Sequence, residues 1–278
     1  MRKSIQLREE EDLEKMMSYA GAAGVSEIAL SFGSSDVLFR PDADARILEI
    51  GELLAKNGLR CTQTHLPFYH LLKDAAETTE EMERAIKKCI KFSAQLGASW
   101  TAYHPRTDIA DGYHRTGSFA YNRRYLSQYL EEAERYGVGI AVENMPLYPY
   151  THPEWRFFGG GFEELVELCD AFSSKYIGIC WDFGHAHTAA LDQAAALCAV
   201  GDRLKITHVH DNYKNGDHHQ LPLLASLEWG SIDWGTTVRA LRKIAYQGPM
   251  TLEVITPPEP MRKSFVQCGY DALSALLD

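Results

Sequence analysis

The sequence predicts an α/β protein, a single-domain (β/α)8 TIM barrel spanning residues 1–278, and three observations predict it. Short apolar runs alternate with helix-period segments along the whole chain. No linker, low-complexity tract or compositional break divides it. Polar residues close one apolar run after another instead of gathering at a single point. A doubly wound open sheet is the competing architecture, and the chain lacks the Gly-x-Gly-x-x-Gly turn after an early strand that would favour it.

The elements follow in order. Ile5 to Leu7 reads as a first short strand, and Glu9 to Ala23 as a helix with Leu13, Met16, Met17 and Ala20 on one face. Glu27 to Phe32 is the second strand; after the turn-rich Gly33-Ser34-Ser35, a helix runs from Asp42 to Asn57 and stops at Gly58. Leu59 to His65 is the third strand. The helix from Thr78 to Leu96 opens on Thr78-Thr79-Glu80-Glu81, where a threonine cap and first-turn carboxylates suit the helix dipole. Ala98 to His104, Gly139 to Glu143, Ile177 to Asp182, Lys205 to His210 and Met250 to Val254 supply the remaining strands. Helices over Ser118 to Tyr136, Phe162 to Phe172, Thr188 to Val200, Trp234 to Tyr246 and Met261 to Leu277 complete the alternation.

Composition narrows the function classes. The formal net charge of −10 argues against a nucleic-acid partner, because nonspecific affinity for phosphodiesters is built from clustered lysine and arginine. The six cysteines are dispersed, with no close pair, and read as reduced core thiols in a cytoplasmic compartment. The N-terminal stretch has no apolar core of a signal peptide, and no window approaches a membrane span, so neither export nor membrane insertion is expected.

The strand ends carry the chemistry. In a barrel, side chains at the C-terminal ends of the strands converge on one mouth. Here those positions hold His65, His104, Glu143, Asp182, His185, His208, His210 and Glu253. Each has an ordinary explanation taken singly. His65 and His104 precede Leu66-Pro67 and Pro105 as turn-start residues do, and Asp182 is placed to cap the next helix. Taken together, several buried carboxylates sharing one mouth would repel one another without a cation. The set Glu143, Asp182, His208 and Glu253 therefore predicts one divalent metal ion, with Mn²⁺, Mg²⁺ or Co²⁺ favoured by the oxygen-rich donors and Zn²⁺ as the alternative. A solvated loop is the default for Asp217-His218-His219. His187 reads as packing or capping.

Aromatic residues near the strand ends (Phe68, Tyr69, Tyr103, Tyr113, Trp155, Trp181 and Trp229) suit stacking on the C–H faces of a sugar or polyol. The apolar segment from Leu147 to Gly161 is expected to be either a lid over the site or a subunit contact in a homo-oligomer.

The chain resembles the xylose-isomerase-like TIM-barrel superfamily over nearly its whole length. The superfamily includes sugar and sugar-phosphate isomerases and epimerases, inosose dehydratases and abasic-site endonucleases. The resemblance rests on Thr64-His65-Leu66-Pro67-Phe68, Val142-Glu143-Asn144, Trp181-Asp182-Phe183-Gly184-His185, His208-Val209-His210-Asp211-Asn212, Gly230-Ser231-Ile232-Asp233-Trp234 and Leu252-Glu253-Val254. It implies that Glu143, Asp182, His208 and Glu253 hold the metal, that His185 contacts substrate, and that Glu143 and Glu253 move the proton through a metal-stabilised enediolate. His65 and His104 occupy positions where sugar-processing relatives can bind substrate. Those histidines, and Asp217 with His218 or His219, also fall where the zinc-dependent endonucleases keep further ligands. The implied activity is a divalent-metal-dependent isomerase or epimerase acting on a small sugar, with an inosose-dehydratase-like lyase and the endonuclease as alternatives. The turn before Ile232-Asp233-Trp234 departs from the family's glycine-rich form, reading Leu227-Glu228-Trp229-Gly230.

Overall fold

A computed structural model describes residues 1–33, 36–68, 79–108, 112–224 and 231–278. Eight parallel strands close on themselves in chain order: β1 (Arg2–Arg8), β2 (Glu27–Ser31), β3 (Arg60–His65), β4 (Trp100–Tyr103), β5 (Gly139–Glu143), β6 (Ile177–Asp182), β7 (Leu204–Val209) and β8 (Pro249–Leu252). Pairing of Arg2 with Pro249 and of Ile5 with Leu252 joins the first strand to the last, so the sheet has no free edge. The helices are α1 (Leu13–Ala22), α2 (Ala43–Lys56), α3 (Glu80–Gln95), α4 (Arg115–Tyr136), α5 (Phe162–Asp170), α6 (Phe183–Thr188), α7 (Gln193–Val200), α8 (Trp234–Lys243) and α9 (Arg262–Leu277).

Period-two alternation sorts each strand between two cores. Outward residues such as Leu7, Ile28, Leu30, Val142, Ile179 and Val209 pack under the helices in one continuous apolar shell. Inward residues Ala102, Ala141, Cys180 and Ile206 form a separate small cluster on the barrel axis. Two residues further along β5, β6 and β7, the same inward rows deliver Glu143, Asp182 and His208. Small side chains thus floor the barrel directly beneath its polar mouth.

Local chemistry sets the element limits. The first helix starts at Leu13, later than the periodicity suggests, because Asp12 accepts the Lys15 N–H and caps it. Thr79 does the same for α3 through the Met82 N–H, and Gly137 ends α4 in the left-handed conformation. The stretch from Thr188 to Val200 is not one helix. A short helix, α6, occupies Phe183–Thr188, and a new cap at Asp192 starts α7. Ser34, Ser35, Tyr69, Thr78 and the Leu227–Gly230 turn lie outside the described residues.

The cysteines are all free, but only Cys61, Cys89, Cys169 and Cys180 are core thiols; Cys198 and Cys268 are exposed. Burial pushes the Cys61 and Cys180 thiols up to about 12, so neither offers a thiolate at neutral pH. Among the described residues, no helix is long and apolar enough to cross a membrane.

Candidate functional site

At the C-terminal mouth of the barrel a cavity of about 270 Å³ is lined by Gln6, Arg8, Glu10, Ser31, His65, Phe68, His104, Glu143, His185, Asp217, His219 and Glu253. A roomier groove over Glu9, Arg40, Asp42, Arg46 and Glu49 lies to one side; it is open, acidic on most of its wall and holds none of the strand-end histidines. The chemistry belongs to the smaller cavity.

The strand-end residues singled out from the sequence cluster at this mouth, with His65, His104, Glu143, His185 and Glu253 on the cavity wall and Asp182, His208 and His210 buried behind them. Glu143, Asp182, His208 and Glu253 each offer a ligand atom within 4.8 Å of the others. His208 Nδ1 is the centre of this set, 3.0 Å from Glu143 Oε1, 3.1 Å from Glu253 Oε2 and 3.9 Å from Asp182 Oδ2. Burial raises the Glu143 carboxyl, but the charges of His208 and His104 outweigh it and hold the group well below the usual carboxylate range. Burial likewise opposes ionisation of Glu253, and His208 again prevails. Burial lowers His208, and the carboxylates of Glu143 and Glu253 lift it well above an ordinary imidazole. A raised histidine among lowered carboxylates balances the buried charge of this set.

Glu143 also belongs to a second set. His65 Nε2, His104 Nε2 and Glu143 Oε2 stand 3.2, 3.3 and 3.3 Å apart. Ligands arranged tetrahedrally at about 2.0–2.1 Å from an ion are separated by about 3.3 Å, so this triangle has the edge length of a zinc-type site. Glu143 Oε2 finds no hydrogen-bond donor among the described residues although it is buried, as expected of an oxygen shaped for a cation.

A third set corrects the solvated-loop expectation for Asp217-His218-His219. Asp217 Oδ2 lies 3.2 Å from His185 Nε2 and 3.1 Å from His219 Nε2, and its Oδ1 is 3.7 Å from His210 Nε2. The His210 and His219 rings stack with centroids 3.9 Å apart. Burial raises the Asp217 carboxyl, and His185 and His219 overcome it to hold it far below its ordinary value. His218 stays outside this cluster.

Second contacts fix how the imidazoles present themselves. The Nδ1 atoms of His65, His185 and His219 lie 2.8, 2.8 and 3.0 Å from the carbonyl oxygens of Leu66, Asn144 and Glu253. A carbonyl only accepts, so each Nδ1 carries the proton and each Nε2 is turned to the site as a metal ligand would be. Asn144 clamps two strands: its amide oxygen accepts the Asp182 N–H at 2.7 Å and its amide nitrogen donates to the Asp182 carbonyl at 2.9 Å. Asp182 itself both caps α6, accepting the His185 N–H at 2.7 Å, and meets His210 Nε2 at 3.0 Å. Gly184 leaves room for that ring, since a Cβ there would come within 1.9 Å of His210.

His210 and Asn144 stand outside the metal, base and substrate set expected from the sequence. The period of two along β7 pointed to His210, because it shares the inward face with Ile206 and His208. Nothing local marks Asn144 beyond its place after Glu143. Of the aromatics, Phe68 lines the cavity and stacks on His104 with centroids 4.9 Å apart. Tyr103 and Trp181 face outward into the core, one against Tyr129 and the other donating to Gln193. Tyr113 donates to Glu164, and Trp155 stacks on His152, both away from the cavity wall. Tyr69 and Trp229 lie outside the described residues. His187 is buried in α6 and takes no part in the cavity lining.

The loop that carries Asp217 and His219 is anchored by Asp211. Its carboxylate accepts from the N–H groups of Asn212 and Ile232, from Ser231 Oγ and from Trp234 Nε1. Its backbone pairs both ways with Gln220. Replacing Asp211 by alanine leaves those buried donors unsatisfied and is expected to destabilise the protein by about 1–3 kcal/mol, with Asp211→Asn losing less. Urea unfolding of the variants measures this, and an unchanged midpoint for Asp211→Ala would remove the anchoring role.

A family model described as xylose isomerase-like TIM barrel matches residues 17–266. A Methanocaldococcus jannaschii protein, MJ1311, is 27% identical over 219 residues, covering 78% of this chain; the chain spans only 63% of that relative's length. The D-psicose 3-epimerase of Enterocloster bolteae is 23% identical over 255 residues, covering 87% of this chain and 76% of the epimerase. The crystal structure of a D-tagatose 3-epimerase-like protein superposes with a TM-score of 0.77 at 22% identity, covering 100% of this chain and 97% of its own. With nearly the whole barrel inside the matched region, the chain belongs to the xylose isomerase-like TIM-barrel family.

Proposed function

We propose that the protein is a metal-dependent sugar or sugar-phosphate isomerase or epimerase. The observation that carries this reading is the convergence of Glu143, Asp182, His208 and Glu253 within 4.8 Å of one another at the floor of a sugar-sized cavity. Their donor set fits a divalent ion, with Mn²⁺, Mg²⁺ or Co²⁺ favoured and Zn²⁺ as the alternative. When bound, that ion would polarise a substrate carbonyl and acidify the neighbouring C–H.

The chain's own residues then move the proton. Glu143 rises from β5 and Glu253 follows β8, so the carboxylates approach a ligand from different walls of the barrel. One removes the proton and the other returns it, which inverts or relocates the centre. Gln6 Nε2 donates to Glu253 Oε1 and holds that carboxylate in place. His185 and Phe68 bound the space above, His185 as a polar contact to substrate and Phe68 as a flat face for the sugar C–H groups. A D-psicose 3-epimerase and a D-tagatose 3-epimerase-like protein among the similar proteins agree with this reading. Incubation with free and phosphorylated ketoses in D₂O tests it. Deuterium should enter at the carbon next to the carbonyl without loss of water, whereas a dehydrated product would make the enzyme a lyase of the inosose-dehydratase kind.

A second reading has its own observation. The sets His65, His104, Glu143 and His185, His210, Asp217, His219 flank the central one and share or touch its carboxylates. Three ions side by side suit hydrolysis of a phosphodiester, as in the abasic-site endonucleases. The net charge of −10 and a cavity wall with a single arginine among the described residues oppose a nucleic-acid substrate. Metal analysis distinguishes the two: three zinc ions per chain with nicking of an abasic duplex would establish the nuclease.

A further inference from the structure

The first strand carries a residue that this proton chemistry does not use. The inward positions of β1 are Ser4, Gln6 and Arg8, rising toward the mouth, while Ile5 and Leu7 pack in the outer core. Ser4 is buried, Gln6 supports Glu253, and Arg8 is half-buried in the cavity wall beside Ser31, its partner in register on β2. Among the described residues lining the cavity, Arg8 is the one arginine or lysine; Glu10, Glu143, Asp217, Glu253 and four histidines make up most of the remainder.

A guanidinium in such company would be expected to pair with a carboxylate. It makes no hydrogen bond or ion pair with a described residue; only its backbone N–H is engaged, by Glu11 at 3.1 Å. The acids near it in the chain and in the wall have other partners. Glu9 is held by Arg46 at 2.9 Å, Glu11 by that backbone N–H, and Glu253 by Gln6 and by His208 at 3.1 Å. Among the described residues, the one permanent cation of the cavity wall is therefore left without a carboxylate partner for its fork of donors.

We propose that Arg8 is a specificity-determining residue that binds an oxyanion on the substrate, a phosphoryl or carboxylate group, so that the site takes a charged sugar in preference to a neutral one. This rests on the isomerase or epimerase reading above. The planar guanidinium matches either oxyanion with two parallel hydrogen bonds. An anion there also supplies the counter-charge that the wall withholds. The chain's net charge of −10 makes a local cation useful, because without one the mouth would repel an anionic substrate. Arg8 stands on β1 while the base and metal ligands come from β5 to β8, so a substrate bridging them would be gripped at one end and reacted at the other.

The test uses the metal-reconstituted full chain, wild type and with Arg8→Gln or Arg8→Lys, titrated calorimetrically with inorganic phosphate and with acetate. Loss of the charged bonds should weaken binding of one or both anions by about 10- to 100-fold in Arg8→Gln, with partial recovery in Arg8→Lys. Equal affinities in the wild type and Arg8→Gln for both anions would overturn the proposal. Kinetics then separate the two sources of the oxyanion. If it is phosphoryl, the ratio of kcat/KM for D-fructose 6-phosphate over D-fructose falls by about the same factor in Arg8→Gln. If it is carboxylate, the ratio for D-fructuronate over D-fructose falls instead, and constancy of both ratios counts against Arg8. Should the wild type turn over no sugar, the isomerase reading fails while the anion titration still decides the role of Arg8.

Discussion

Replacing Glu143 by glutamine is expected to cut turnover by about 10³-fold or more, because one carboxylate serves two ends at once. A positioned general base contributes about 10²–10⁴-fold, and loss of a ligand adds to that. Glu143 Oε1 faces His208 at 3.0 Å, and Oε2 faces His65 and His104 at 3.3 Å each. The amide is nearly isosteric, so the fold should persist, but its NH₂ would replace an anionic oxygen with a donor that cannot bind a cation. The variant should therefore lose metal as well as activity, which steady-state kinetics and elemental analysis of the dialysed protein read independently. Glu253→Gln separates the roles. Glu253 belongs to the central set alone, so it should depress turnover comparably while leaving the His65 and His104 pair able to bind an ion. If Glu143→Gln kept turnover within tenfold of the wild type, Glu143 would be neither base nor essential ligand.

That dual position was only half legible in the sequence. An apolar strand closing on Glu143 or Asp182 is visible locally, since burial of a carboxylate at a strand end is chemically costly and asks for a reason. Barrel closure then turns separate strand ends into neighbours, and the eight-fold alternation announced that closure. The two roles of Asp182, cap or ligand, look like alternatives in the sequence; in the structure its carboxylate caps α6 while facing His210, because Oδ1 accepts the His185 N–H and His210 Nε2 lies within 3.1 Å of both oxygens. Asp217 and His219 could not be read this way. They sit in a polar loop with no periodicity, and their burial comes from Asp211 and Gln220 pinning the loop across the mouth. Tyr103 and Trp181 mislead for the opposite reason: they lie next to site residues in the chain, and the period of two sends them to the outer core.

Chelation should abolish turnover and lower the melting temperature, with a pH dependence whose sign follows from the histidines. In the metal-free protein burial lowers His219, but Asp217 overrides it and raises the imidazole from 6.5 to about 9. His185 and His208 are raised well above 6.5, each against the effect of burial, by Asp182 and Asp217 in one case and by Glu143 and Glu253 in the other. A raised folded pKa means that the stabilisation is fully present below about 6.5 and is lost as pH climbs through about 9. Protons thus stand in for metal on the acidic side of this window and leave on the alkaline side. A metal-loaded site does not depend on those protons, so the difference in melting temperature between loaded and chelated protein should widen from pH 6.5 to 9. At a free metal concentration of about 100 times Kd, binding contributes about 2.7 kcal/mol, or a shift of roughly 5–10 °C for a chain of this size. Metal loading near neutral pH should also release protons, seen calorimetrically as a binding enthalpy that changes with the ionisation enthalpy of the buffer. A melting difference constant across the window, together with a buffer-independent enthalpy, would show that the cation does not replace histidine protons. The carboxylates and imidazoles of the mouth would then be an ion-pair network sufficient in itself, and the assignment of Glu143, Asp182, His208 and Glu253 as ligands would fall with it.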